Sequence, residues 1–214
     1  MKVYTFFSDS HKEFYNLFLE SFPFEDDFDL EIKYFPQECE GSFMSEGWSN
    51  TMKRKIDYIL YSLEHTKENE IFIHSDIDIV FYDKIKTDIL NLMIGYDILF
   101  QRDNKDNSRS LCMGFFACVK NDKTVNFFKK IYTELHKYDN DQTAVNSLIK
   151  NSKLKYGNLP SGYYSVGVEN GLWEGNDNIK IPEKILIHHA NFTIGVENKI
   201  KLINLVKNKI KNEK

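Results

Sequence analysis

Apolar residues along this chain change spacing repeatedly, from short continuous runs to one in every three or four and back. "KVYTFF" near the amino terminus predicts a first strand. The following "SDSHKEFYNLFLESF" puts Phe14, Leu17, Phe18 and Phe22 on one helical face, with Ser8, Asp9 or Ser10 as the cap. "DLEIKYF" alternates as a half-covered strand does. "SNTMKRKIDYILYSLEHT" is helical, with Ile56, Ile59, Leu60 and Leu63 inward and Ser49 or Asn50 at its start. "IFIHSDIDIVFY" is a buried strand, "DKIKTDILNLMI" a helix, and "YDILFQR" and "LCMGFFACVK" are two more strands. "DKTVNFFKKIYTELHKY" is helical, and "DQTAVNSLIKN" starts another helix. "YGNLPSGYYSVGVENGLWEGNDN" has no period and suits a lid or binding loop. A strand, "KILIHHANF", precedes a Lys-rich tail over 199–214. Ile203, Val206 and Ile210 stand there at helical spacing, so the tail either packs as a closing helix or lies on a membrane surface. The alternation predicts the α/β class: one domain over 1–214, with a mostly parallel central sheet flanked by helices.

Composition narrows the function classes. Hydrophobic residues at 42% and aromatics at 14% exclude a disordered or fibrous chain. A net charge of −4 gives no broad basic face, so nucleic acid is not expected as a partner. Cys39, Cys112 and Cys118 lack metal-type spacing and cannot all pair, which points to a reducing, cytoplasmic compartment. The apolar run in "MKVYTFF" is short for a signal peptide, and no run reaches the roughly 20 residues of a membrane span.

The candidate chemistry lies where the strand "IFIHSDIDIV" is interrupted by Asp76 and Asp78. Two unpaired carboxylates ending a buried strand would be costly, and side chains two apart on an extended chain point the same way. A cation should sit between them. Asp27/Asp29 and Asp139/Asp141 share the spacing, but only Asp76/Asp78 ends a buried strand, the usual ligand position in α/β sheets. His188 and His189, after the apolar "KILI", are the further ligand candidates. Carboxylates with one imidazole suit Mn²⁺, or less well Mg²⁺.

The ordered set "FIHSDIDIVFY", "LCMGFFACVK", "DQTAVN" and "IHHANFTIGVENK" resembles the GT-A-type nucleotide-diphospho-sugar transferases, including the compact enzymes encoded by chlorella viruses. The resemblance spans nearly the whole chain. It implies a GT-A-like (Rossmann-like) domain that moves a sugar from a nucleotide-diphosphate donor, a UDP-sugar, to a glycan or glycoprotein acceptor, the alternatives being a sugar nucleotidyltransferase or a non-catalytic glycan-binding protein; a viral origin would put it in the host cytoplasm. It also implies that Asp76, Asp78 and His189 hold the metal, with His188 the competing choice, and that Asp76 touches the ribose. Phe7, Ser8, Lys55, Gly114, Gly195 and Lys199 would complete the donor site, Lys199 on the diphosphate and Lys55 reaching over the donor. Asp141 and Gln142 would line the sugar face opposite the leaving group, although Asp141 equally suits a helix cap, and Lys55 a solvated helix position. Gln101 to Asp103 could bind sugar hydroxyls. Trp173 could be an acceptor platform or a core residue pinning its loop.

One departure stands out. Where the family often has Asn-Thr-Gly or Asn-Ala-Gly, this chain has Cys112-Met113-Gly114, which leaves the donor sugar open. The spacing from His189 through Gly195 to Lys199 is similar to a His…Gly…Lys signature of retaining enzymes, only wider, and implies retention.

Overall fold

The computed structural model describes residues 1–37, 48–106 and 110–212; Cys39 and the side chain of Ser49 lie outside them. The strands are β1 Lys2–Phe7, β2 Asp29–Tyr34, β3 Ile71–Asp76, β4 Ile79–Phe81, β5 Ile98–Arg102, β6 Leu111–Val119, β7 Tyr156–Asn158, β8 Tyr163–Ser165 and β9 Ile187–His189. The α-helices are α1 Lys12–Ser21, α2 Trp48–Glu64, α3 Lys86–Leu92, α4 Asp122–Glu134, α5 Asp141–Leu148 and α6 Val196–Asn212. A six-stranded sheet runs in the order β2-β1-β3-β6-β5-β7, and a three-stranded sheet in the order β4-β9-β8. In the large sheet β6 alone runs against its neighbours, β3 and β5.

The strands of the large sheet read as continuous apolar runs because both faces are covered. Phe72, Phe100, Phe116 and Cys118 face α2, α4 and α5, packing on Ile56, Ile59, Phe128, Ile131 and Val145. Ile73, Leu99, Phe115 and Ala117 face the other way, onto Phe14 and Phe18 of α1, Ile89 of α3 and the small sheet. The tail packs. Leu202 and Val206 of α6 join Val166, Trp173, Ile179 and Ile185 in a third cluster, and Ile210 packs against its edge. Among the described residues no helix is long and apolar enough to cross a membrane.

Several local expectations change. The aperiodic segment after α5 contains β7, β8 and a 3-10 turn over Val166–Val168, so much of it is tied down. No side chain caps α1; a 3-10 turn over Asp9–His11 precedes it, and Asp9 instead accepts from Tyr34 Oη (2.8 Å) and the Gln37 N–H (3.1 Å). α2 already begins at Trp48, so Asn50 lies inside it.

Candidate active site

Asp76 is the last residue of β3, and the parallel register pairs it with Phe6, so Phe7 and Ser8 emerge at the same end of the sheet. Asp78 is not on an extended strand. Residues 77 and 78 form a turn, after which the chain enters β4 in the other sheet. The two carboxylates converge because the chain folds over between sheets rather than by strand alternation. β4 pairs antiparallel with β9, Ile79 opposite His189, and the Ala190 N–H donates to the Asp78 carbonyl at 3.0 Å. That register brings the His189 ring to the carboxylates: Nε2 lies 3.3 Å from Asp78 Oδ1 and 3.9 Å from Asp76 Oδ2. His188 points to the other face of β9, where it is buried beside the Tyr164 ring.

One ligand atom from each of Asp76, Asp78 and His189 lies within 4.8 Å of the others. The room for this comes from Gly114, one residue beyond the Ser75–Phe115 pair of β3 and β6. A Cβ there would lie 2.1 Å from His189 Cε1 and 2.8 Å from Asp76 Oδ2. Two carboxylates and one imidazole, converging on space that a missing side chain keeps open, fit a hard or borderline divalent cation such as Mn²⁺ or Mg²⁺.

Two lysines neutralise the carboxylates. Lys55 is buried, not solvated, and its Nζ lies 2.7 Å from Asp76 Oδ1 and 3.7 Å from Asp141 Oδ2. Burial disfavours its charge, but Asp76 and Asp141 more than offset this and its pKa is raised. Lys199, in the first turn of α6, is hydrogen-bonded to Asp78 Oδ2. Burial alone would raise both carboxyls. Lys55, then the His74 ring, hold Asp76 below the usual range, and Lys199, then His189, do the same for Asp78. Gly195 has φ +88°, the left-handed region suited to glycine, and its carbonyl accepts from the Lys199 N–H at 3.1 Å.

A second group of polar side chains lies beside the first. Asn140, not Asp141, caps α5, its side chain accepting from the Thr143 N–H at 2.7 Å. Asp141 is left facing Lys55, and its buried Oδ2 has no hydrogen-bond donor among the described residues. Gln142 Oε1 accepts from the Met113 N–H at 3.4 Å. Cys112 is buried, and its sulfur lies 3.6 Å from His189 Nδ1 and 3.7 Å from Asn191 Nδ2. Gln101 is also buried: Nε2 donates to the carbonyls of Tyr163 (3.3 Å) and Tyr164 (2.8 Å), and Oε1 lies 2.9 Å from His189 Nδ1. Its amide is spent inside the fold and does not await a sugar. Trp173 is a core residue, its Nε1 bonded to the Asn176 carbonyl at 2.7 Å, and not an acceptor platform.

Asp103 is buried, its Oδ1 has no hydrogen-bond partner among the described residues, and burial pushes its pKa up to about 6. The folded protein therefore holds this proton more tightly than the unfolded chain. The associated stability is complete below the unfolded pKa and is lost as pH rises through about 6. In metal-free protein Asp103→Asn is expected to remove that loss. Stability at pH 8 should rise relative to wild type by about 2–3 kcal/mol more than at pH 4, measured by urea unfolding at both.

His11 was not suggested by spacing or motif. Its ring faces the same site; burial lowers its pKa and Lys199 adds to this, against Asp78 and Asp76.

A family model described as nucleotide-diphospho-sugar transferase matches residues 28–203. No curated protein matches the chain. Among solved structures, a glycosyltransferase involved in glycosylation of the major capsid of PBCV-1 superposes with a TM-score of 0.62 at 11% identity, covering 95% of this chain and 98% of that one. GlyE of Streptococcus pneumoniae TIGR4 gives 0.58 at 14% identity, covering 95% of this chain but only 59% of its own length. The galactosyltransferase LgtC, solved with donor and acceptor sugar analogs, gives 0.50 at 12%, covering 88% and 86%. At these identities the likeness is one of fold, and the fold is GT-A.

Proposed function

The chain belongs to the nucleotide-diphospho-sugar transferase family, and on that premise we propose that it is a metal-dependent glycosyltransferase taking its sugar from a UDP-linked donor. The observation that carries this reading is the convergence of Asp76, Asp78 and His189 at one end of the sheet. Phe7 and Ser8 emerge beside Asp76 and are placed to meet the nucleotide. A divalent cation held by the three ligands would neutralise charge on the departing diphosphate.

The protein's own groups supply the rest. Lys199 is released from Asp78 to bind the diphosphate. Lys55 stays, fixing Asp76 in place and facing Asp141. Asp103 Oδ1 and Asp141 Oδ2, which accept no hydrogen bond among the described residues, are acceptors for hydroxyls of the donor sugar. Cys112, standing where an amide is common in the family, offers only a weak donor, so selection among sugars rests on the carboxylates and Gln142. The bond from the anomeric carbon to the diphosphate oxygen breaks, its electron pair leaving with the nucleotide. The acceptor hydroxyl attacks from the same face and gives its proton to the departing phosphate oxygen, so configuration is retained. A groove of about 500 Å³ bordered by Arg102, Tyr164, Glu169 and Lys180 is large enough for the ring of a glycan acceptor.

Calorimetric titration with UDP tests the reading, which expects binding in Mn²⁺ and its loss in EDTA. UDP affinity that ignores the metal contradicts it. Lys199→Met is expected to act in opposite directions. Mn²⁺ alone should bind more tightly, because Asp78 no longer has a competing cation. UDP with Mn²⁺ should bind roughly tenfold or more weakly, the ~1.5–3 kcal/mol of a charge-assisted hydrogen bond. Both affinities are read in the same calorimetric series.

A further inference from the structure

Gln101 is fully buried at the end of β5, and all its polar atoms are engaged. Its NH₂ group faces the carbonyls of Tyr163 and Tyr164. Carbonyls can only accept, so the amide cannot be turned round without setting oxygen against oxygen. Oε1 is thereby fixed as an acceptor 2.9 Å from His189 Nδ1. An acceptor there takes a proton from Nδ1, and the neutral ring that makes this bond presents a bare lone pair on Nε2, toward the space between Asp78 Oδ1 and Asp76 Oδ2.

We infer that Gln101 is the positioning residue that sets the tautomer and angle of the His189 ring and so makes Nε2 a metal ligand, a role that rests on the metal reading above. Without it the ring has an alternative. Asp78 Oδ1 lies 3.3 Å from Nε2 and would accept a proton placed there, turning the ligand atom into a donor and closing the site. The chain holds Gln101 firmly for this purpose: β8, which supplies the two carbonyls, pairs directly with β9, with Ser165 opposite His189. The ring and the two carbonyls that hold the Gln101 amide therefore come from adjacent strands. Nothing in the sequence marks the role, because the Gln lies 88 positions from the His and its partners on β8 are backbone atoms.

The test is made on the whole metal-free protein by nitrogen-15 NMR of the imidazoles at pH 8, with the His189 signals identified by their loss in His189→Ala. Wild type should show the Nδ1–H form. Gln101→Leu should shift the ring toward the Nε2–H form and lower Mn²⁺ affinity by about 10–100-fold, the range for outer partners of a metal histidine. Gln101→Glu, whose buried carboxyl can still accept from Nδ1–H, should keep the wild-type form. A core variant matched in melting temperature to the leucine variant, such as Ile131→Val, should keep both tautomer and affinity. The inference is overturned if Gln101→Leu retains the Nδ1–H ring, or if its affinity loss is matched by the core variant. A wild-type protein that takes up no Mn²⁺ overturns the metal reading instead, and the ring comparison still decides whether Gln101 sets the tautomer.

Discussion

Replacing Asp78 with Ala is expected to abolish Mn²⁺-dependent binding of UDP while leaving the protein folded. The loss should exceed about 100-fold, since Asp78 would be a direct ligand and loss of an outer partner alone costs 10–100-fold. The fold should survive for a specific reason. Asp78 is 4% exposed, but its partner Lys199 is 19% exposed and can turn to water once the carboxylate is gone. Removing Asp76 would be harsher, because Lys55 is enclosed and would be left as a buried charge with only the more distant Asp141. Unchanged Mn²⁺ and UDP affinity in Asp78→Ala, with an unaltered melting curve, would place the metal elsewhere.

Gly114→Ala should be nearly as damaging without touching a single ligand. Its methyl group would lie 2.1 Å from a carbon of the His189 ring, and the ring has little room to retreat. Gln101 lies against its far side, and its backbone is held between β4 and β8. Overpacking of this kind costs about 1–3 kcal/mol of stability. The expected loss of Mn²⁺ affinity is larger, about 100-fold, because Nε2 is displaced from the carboxylates. Gly157→Ala on the same sheet is the control: its methyl would meet Leu99 at 3.2 Å, the end of a side chain that can shift. Wild-type affinity in Gly114→Ala would mean that the ring is not held where the cation binds.

The α/β alternation, the tail helix and the strand-end positions of Asp76, Asp78 and the His188/His189 pair were legible in local spacing, and the family resemblance singled out His189. The sequence hid what depends on how the strands are arranged. The apolar run of "LCMGFFACVK" looks the same in either direction, so nothing in it reveals that β6 runs against its neighbours. The Asp-x-Asp spacing pointed to a pair that does converge, but for an incomplete reason, since a turn and a change of sheet bring the two together. Spacing leaves Lys55 open between a donor-site residue and a solvated helix lysine, and only its burial against Asp76 separates the two. Gln101 looked available for sugar and Trp173 suited either a sugar platform or the core, yet both are consumed by the fold, Trp173 in the third cluster and Gln101 on β8 and His189. Short strands such as Tyr163–Ser165 show too few residues to betray a period, although β8 supplies the carbonyls that orient Gln101.

If this site activates a nucleotide-sugar with the help of a bound cation, it should hydrolyse its donor slowly even without an acceptor. The protein is incubated with a panel of nucleotide-sugars and Mn²⁺, without acceptor, and free nucleotide diphosphate is measured over time. Slow release of UDP from at least one UDP-sugar is expected, abolished by EDTA and by Asp78→Ala. Release that persists in EDTA, or no release from any donor by a protein that binds UDP and Mn²⁺, would contradict it.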